Sequence, residues 1–556
     1  MKVSGKEALC EILQAEGVRY VFGNPGSTEI PLLDALVNYP NIKYVLALHE
    51  GDAVAMADGY ARSSGVPGVV SIHAAPGTSN ALANLYNAHI DLVPLVVMAG
   101  QQDSRMLVRQ PFLSADLVRL TSQFTKWSWQ VSRIEELGIA VRRAFKEATS
   151  PPTGPVFLAL SRNVLDEVAD FDPVPPVKYR IPDRIRGDAN AILKAAEMLV
   201  DAEKPVVFAG EGVGRASAQK ELVQLAELIG ARVYGEPGAF PTNHRQYLAP
   251  IDRQHAGLGG AGDVILAVGL RLFHDFSYSG GSIFPPETRV IHVHDNSWEI
   301  AKNHPVDVGI FADVKTGLKE LVTEVRELLS ASRLEAIENR LAEVKREREN
   351  LQASLENEVR AAWDALPIRV PRLIREMQEV LPDDAIIVDQ AIRGSGYLKR
   401  LYQFTTPGTY YIDGGGTLGW GIGAAVGVQF AQPNRKVVAL VGDGGMNFGP
   451  KALWSAARHD VPVTVIVMNN VGYAAVKSML SLYKGEAAKQ GDFTRAEIAG
   501  VDYVKLAESY GVRGWRVEKP DEIRPALEAA LESGKTALIE IVVDPKDAGF
   551  GVPRLP

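Results

Sequence analysis

Two short stretches of this chain have the residue types and the spacing to hold a divalent metal against a phosphate. Gly442-Asp443-Gly444-Gly445 is followed, 27 residues beyond the aspartate, by Asn470, which comes directly after Asn469. A carboxylate and an amide oxygen are hard ligands suited to Mg²⁺, which keeps the rest of its octahedron for water and phosphate oxygens. The glycines remove Cβ atoms, so a diphosphate can approach the backbone N–H groups. Taken alone, such a turn is as well explained as a surface loop. Its flanks favour the chemical reading. Residues 437–441 are an apolar run that reads as a buried strand, 451–459 can form a helix, and 462–468 are a second apolar run. Parallel strands joined by one crossover set Asp443 beside Asn470 at the strand C-termini, where open α/β sheets bind ligands.

The rest of the chain supplies elements of the same kind. Residues 1–170 alternate helix and strand, with apolar runs at 20–22, 44–47, 68–72 and 92–99, the pattern of a doubly wound parallel sheet. Ser4-Gly5-Lys6-Glu7 reads as a capping box for a helix that Gly17 ends. A stiff Pro-rich stretch at 172–177 is a linker. A second α/β unit spans 188–330, with strands at 205–209, 264–268 and 289–294. A charged helix follows at 333–360, either a solvated connector or a coiled-coil partner. A third unit spans 366–545 and carries the strand 386–389, the Gly-rich run 414–427, the metal motif and a closing strand 537–543. Units one and three read as copies of one architecture. The tail 545–556 reads as loosely held. The fold class is therefore α/β, with three doubly wound parallel-sheet domains.

Composition narrows the function classes. A net charge of −8 without a basic block argues against a nucleic-acid surface. A single cysteine, Cys10, excludes an intrachain disulfide and fits a reducing, cytoplasmic setting. No apolar run approaches the ~20 residues of a membrane span. Gly210-Glu211-Gly212-Val213-Gly214 after a strand invites a dinucleotide reading, but Ser217 stands where G-x-G-x-x-G would need its last glycine.

The metal motif resembles that of thiamine diphosphate (ThDP) enzymes, GDG followed by some 25–30 residues and NN. Phe22-Gly23-Asn24-Pro25-Gly26-Ser27-Thr28-Glu29-Ile30-Pro31, His49-Glu50, Ala57-Asp58-Gly59-Tyr60-Ala61, His73-Ala74-Ala75-Pro76-Gly77-Thr78 and Ala99-Gly100-Gln101-Gln102 extend the resemblance. They look like the benzoylformate decarboxylase family, within the acetolactate synthase/pyruvate decarboxylase superfamily. The resemblance implies pyrimidine-binding, central and diphosphate-binding domains in that order, ThDP and Mg²⁺ as cofactors, and a homodimer or homotetramer. Relatives use the central domain for flavin or ADP and the decarboxylases leave it empty, so FAD is not expected.

Site residues follow from the same resemblance. Glu50 matches the glutamate that hydrogen-bonds the pyrimidine and promotes loss of the thiazolium C2 proton; as a plain structural residue it is a helix N-terminal carboxylate favoured by the macrodipole. This chemistry prefers apolar surroundings, and Leu46, Ala47, Leu48 and Val54 are apolar neighbours in sequence. Asn24, Pro25 and Gly26 are expected at the cofactor. Leu418 matches the apolar wedge that bends it, and the Gly416 carbonyl the acceptor for its 4′-amino group. Gly444, Gly445 and Tyr473 are expected at the diphosphate, with the Gly472 carbonyl joining Asp443 and Asn470 on the metal. Ile392 and Arg393 stand where relatives contact the diphosphate, although Arg393 departs from the small hydroxyl residue expected there. Ser27 and His73 match residues that orient the substrate carboxylate and relay protons. A second histidine is expected from the central domain; an ungapped match puts Phe276 there, with His274 two positions earlier. Val476 and Met479 replace bulkier pocket residues.

The expected function is decarboxylation of a 2-oxo acid to an aldehyde, with carboligation to a 2-hydroxy ketone when an aldehyde acceptor is present. The alternatives are an acetolactate-synthase-like carboligase acting on pyruvate and, in another class, a nucleotide-binding oxidoreductase built on Gly210–Gly214. A non-catalytic binding protein fits less well, since Glu50, Asp443 and Asn470 are all present.

Overall fold

The computed structural model describes residues 2–172, 174–251, 261–272, 278, 280, 282–552 and 554–555. Three six-stranded sheets organise the chain. Each is parallel at every pairing. Central strands such as Gly68–Ile72, Leu95–Gln101 and Val156–Ser161 are buried throughout, as continuous apolar runs covered on both faces should be.

The first sheet runs Lys43–Leu46, Tyr20–Asn24, Gly68–Ile72, Leu95–Gln101, Val156–Ser161, Trp127–Val131. The third runs Tyr410–Ile412, Ile386–Gln390, Val437–Gly442, Val463–Asn469, Ala537–Val542, Arg513–Val517. Counted along the chain, both have the order 2-1-3-4-6-5, so the two outer units are copies of one topology. In each, the first and third strands are neighbours and the chain winds away on both sides. That is the switch point where a crevice opens beyond the strand C-termini. The central sheet has the order 3-2-1-4-5-6, that of dinucleotide-binding folds.

Some elements differ from the sequence reading. The expected strand at 92–99 begins only at Leu95, because the preceding helix, Ala74–Ile90, closes through Asp91 and a left-handed Leu92. Asp443 does not sit in an open turn but begins a short helix, Asp443–Phe448, ahead of the helix Ala452–Arg458. The charged segment is one 32-residue helix, Ala331–Ala362. It is held to the central unit by Arg232 with Glu343 and Glu347, and by Arg340 donating to the carbonyls of Ala202 and Ile229. The tail is packed, not loose: Ala548 and Leu555 are buried, Arg554 pairs with Asp544, and Arg400 lies over the Phe550 ring. Cys10 is buried, and burial pushes its thiol up to about 12, which leaves it unreactive. No described helix is long and apolar enough to cross a membrane.

The outer units meet through the helices Glu50–Ser64 and Trp420–Ala431, both rich in Gly and Ala. A Cβ at Gly59 would overlap the Ala424 carbonyl, and one at Gly427 the Met56 carbonyl. Only glycine lets the two backbones approach this closely. Gly427→Ala is therefore expected to destabilise the protein by about 1–3 kcal/mol, read as a lower midpoint in urea; an unchanged midpoint would show that the helices can separate freely.

Candidate active site

Asp443 follows the strand Val437–Gly442, and Asn470 follows Val463–Asn469, whose register pairs Gly442 with Met468. The two side chains thus emerge at neighbouring strand ends. The Asp443 carboxylate is buried and accepts from Gly444 N (2.9 Å) and Gly472 N (2.7 Å). Burial pushes its carboxyl up to about 6, against these N–H groups and the Lys477 ammonium. The Asn470 Oδ1 is buried without a hydrogen-bond partner. Val471 has φ 58° and Gly472 φ 146°; a β-branched residue at positive φ is a strained one. Lys477, itself buried, donates to the Val471 carbonyl (3.2 Å) and ties this bend to the helix Ala474–Tyr483.

A bare buried amide oxygen beside a desolvated carboxylate is the donor set a hard cation satisfies. Among the described residues, no group of three His, Cys, Asp or Glu side chains offers another metal site. A Cβ at Gly444 would lie 2.7 Å from the Tyr473 ring, so that ring packs closely on the glycine turn. Arg393 reaches the Ala475 carbonyl (3.5 Å) from the loop after Ile386–Gln390, where Ile392 is held at φ 54°.

The first unit gathers a second group of side chains at its own switch point. Asn24 ends a strand paired with Gly68–Ile72, and His73 follows that neighbour. Glu50 opens its helix, capped by His49, and its carboxylate is buried. Asn24 Nδ2 donates to Glu50 Oε1 (3.0 Å) and Asn80 Nδ2 to Oε2 (2.9 Å). Two amide donors hold the carboxylate; of the apolar neighbours in sequence, Ala47 and Val54 are buried and Leu48 is exposed. The sequence reading did not single out Asn80, whose only signal is its place two turns beyond His73 on the same helix face.

Ser27 is exposed, whereas Thr28 and Glu29 beside it are buried. Glu29 also went unselected, yet it organises the loop. It accepts from Gly26 N (2.8 Å), Gly100 N (2.8 Å) and Thr28 Oγ1 (2.7 Å), and faces His73 Nδ1 at 2.9 Å. Thr28 Oγ1 also lies 3.0 Å from that nitrogen; its own hydrogen goes to Glu29, so it can only accept there. Both neighbours of Nδ1 are acceptors, so Nδ1 carries the hydrogen of the neutral ring. Ala74, next in chain, has φ 44°.

The Gly-rich loop of the third unit lies against the helix Ala74–Ile90 of the first. Asp91 accepts from Gly414 N (2.7 Å), and Asn87 brackets Thr417 (3.2 and 3.4 Å). Gly416 is exposed with φ 76°, and Leu418 is half-buried. His274 and Phe276 lie outside the described residues. In the central unit, Cβ atoms at Gly210 and Gly212 would run into the backbone of Gly269 and Leu270. Those glycines serve the packing of two strand-end turns.

Sequence comparison agrees with this architecture. The chain matches the thiamine pyrophosphate enzyme models for the N-terminal TPP binding domain over residues 3–120, the central domain over 192–321 and the C-terminal TPP binding domain over 394–541. It is 31% identical to a probable acetolactate synthase large subunit of Methanocaldococcus jannaschii, over 98% of this chain and 93% of that protein. It is also 31% identical to benzoylformate decarboxylase of Pseudomonas aeruginosa, over 96% and 97%. The solved structure of a ThDP-dependent 4-hydroxybenzoylformate decarboxylase of Rhodococcus jostii superposes with a TM-score of 0.85 at 30% identity, over 98% and 99% of the two chains. The chain belongs to the thiamine pyrophosphate enzyme family. Within it, the chain is a ThDP-dependent carboxy-lyase or carboligase.

The Glu29 arrangement fixes a tautomer, and ¹⁵N NMR of labelled protein reads it: His73 is expected as the Nδ1–H form when neutral. In Glu29→Gln the amide presents a donor to that nitrogen, so the tautomer should invert, with a destabilisation of about 1–3 kcal/mol from the backbone N–H left without an acceptor. An unchanged tautomer would mean that Glu29 does not hold the ring.

Proposed function

We propose that this enzyme decarboxylates a 2-oxo acid with a sizeable apolar side chain, of the benzoylformate or branched aliphatic kind, and joins the acyl unit to an aldehyde when one is supplied. When bound, ThDP supplies the carbon nucleophile and electron sink for cleaving the bond between the carboxyl and carbonyl carbons. The observation that carries the reading is the His73–Glu29–Thr28 arrangement: an imidazole with one nitrogen fixed on a buried carboxylate and the other left to exchange a proton, beside exposed Ser27. Decarboxylation needs a donor to orient the leaving carboxylate and a group to return a proton to carbon. Ser27 fits the first task and His73 the second.

The remaining roles follow the donor sets. Asp443, the free Asn470 Oδ1 and the Gly472 carbonyl hold Mg²⁺; Gly444, Gly445 and Tyr473 line the diphosphate. Glu50, oriented by Asn24 and Asn80, faces the pyrimidine. Leu418 and Gly416 bend and anchor the ring, with Pro25 and Gly26 closing the far side. Arg393 donates to the Ala475 carbonyl and lines the same cavity as Gly442 and Asn470, which keeps it at the edge of the diphosphate site.

The working unit is a dimer or tetramer. Asn80 reaches Glu50 while Asn87 reaches Thr417 of the same chain. Glu50 and Asp443 stand in different units, and in the family the chain resembles such residues meet across a subunit interface, so a second copy is the expected source of the loop that faces Glu50. Exposed Val476, Met479, Leu482 and Tyr483 offer apolar surface for such a contact. The oxidoreductase alternative loses support, because its glycines are occupied in packing.

Steady-state kinetics on benzoylformate, 2-oxoisovalerate and pyruvate test the substrate class; pyruvate as sole substrate with acetolactate as sole product would replace this reading with the synthase one. Glu50→Gln is expected to slow exchange of the bound cofactor's C2 proton by roughly 10²–10⁴-fold with a much smaller effect on ThDP affinity. Asp443→Ala should abolish the Mg²⁺-dependent part of that affinity in calorimetry, and unaltered binding would rule out the metal assignment.

A further inference from the structure

Gln390 ends the first strand of the third sheet, paired with Val441 at the switch point, and its side chain is buried. It reaches into the Gly-rich loop. Its carboxamide oxygen accepts from Gly419 N (3.1 Å) and Gly421 N (3.0 Å), and its nitrogen donates to the Thr417 carbonyl (2.9 Å). Asn87 of the first unit brackets the same Thr417. Leu418 therefore stands between two residues whose backbones are pinned. The loop itself has no ladder, and Gly416 and Gly419 are both left-handed, at φ 76° and 90°. A loop without regular hydrogen bonding takes its shape from the side chains that satisfy its backbone. The fit is close: a Cβ at Gly421 would lie 2.9 Å from Gln390 Cβ, and one at Gly445 3.3 Å from its Oε1. One carboxamide thus lies between the loop and the diphosphate turn.

We propose that Gln390 is a positioning residue for the cofactor's ring portion: it sets the height of Leu418 and the direction of the Gly416 carbonyl without taking part in capture of the metal and diphosphate. The proposal rests on the cofactor mode put forward above. The chemistry requires glutamine. The site asks for one acceptor serving two N–H groups and one donor for a carbonyl, all on a single planar group. Glutamate keeps the shape and the acceptor but turns an oxygen toward the Thr417 carbonyl. Leucine keeps the volume and leaves all three backbone groups bare.

The test compares full-length wild type, Gln390→Glu and Gln390→Leu, with inorganic diphosphate plus Mg²⁺ as the probe of the diphosphate half and ThDP plus Mg²⁺ as the probe of the whole. Calorimetry should find diphosphate affinity within about twofold of wild type, and ThDP affinity lowered about tenfold or more, the scale of one or two lost hydrogen bonds. Hydrogen–deuterium exchange at C2 of the bound cofactor, quenched and read by NMR, should slow in the same variants. Should neither variant fold, Gln390→Asn, which retains both polar groups on a shorter stem, carries the same comparison. Equal losses for diphosphate and ThDP would overturn the proposal, since they would mark a general structural role; so would no loss for either. A wild type that binds diphosphate with Mg²⁺ but gains nothing from the thiamine portion would remove the cofactor mode itself, and the proposal with it.

Discussion

The structure turns on one buried carboxylate. Asp91, at the end of the helix Ala74–Ile90, is completely enclosed and receives Arg62 (2.6 Å), Arg271 of the central unit (2.9 Å) and the Gly414 N–H of the third (2.7 Å). Burial would raise its carboxyl, but the two guanidinium groups and the N–H hold it below the usual carboxylate range. A charge so enclosed is tolerable only with its partners in place, and removing one leaves the others unpaired in a low dielectric. Arg62 is likewise fixed by Asp58, which also accepts from Trp420 Nε1 (2.9 Å). Three domains meet in a single network, and the network ends on the first glycine of the Gly-rich loop.

From that anchor the helix Ala74–Ile90 runs a polar stripe toward the other group of site residues. Asp91, Asn87, Asn84 and Asn80 recur at helical spacing on one face. They bind Gly414, Thr417, the Gly51 carbonyl and the Glu50 carboxylate in turn. These side chains have the hydrogen-bond capacity to satisfy backbone that has no ladder. The same helix therefore holds the catalytic candidate of the first unit and the loop of the third. The strained residues Ala74, Ile392 and Val471 all lie at strand ends around these two groups, where the surrounding hydrogen bonds over-determine the backbone.

The two sheet topologies explain why the chain keeps three units. The outer pair share one order and put their crevices at equivalent points, one gathering Asn24, Glu50 and His73 and the other Asp443, Asn470 and Gln390. The central unit has a different order and spends its glycines on turn-to-turn packing. It reaches the others through Arg271 and through Lys399 paired with Glu236.

Local pattern determined much of this. The strands read at 205–209, 264–268 and 289–294 are the observed Pro205–Ala209, Val264–Val268 and Arg289–His294; the first two are continuous apolar runs, as a strand covered on both faces should be. The capping box at Ser4 and Glu7 formed as read, since it needs only residues three apart. Asp443 and Asn470 could be set side by side because strand–helix–strand crossovers have one hand and one register of ends. Tertiary structure decided the rest. Glu29, inside a motif but not singled out from it, and Asn80 and Gln390, outside the motifs, matter through partners 44, 30 and 27 residues away in His73, Glu50 and Thr417. The apolar neighbours of Glu50 in sequence do not signal the two amides that hold its carboxylate, because Asn24 and Asn80 come from other elements. Hydrogen-bond partners of this kind are fixed by how the sheets twist and dock, and no spacing along the chain encodes that.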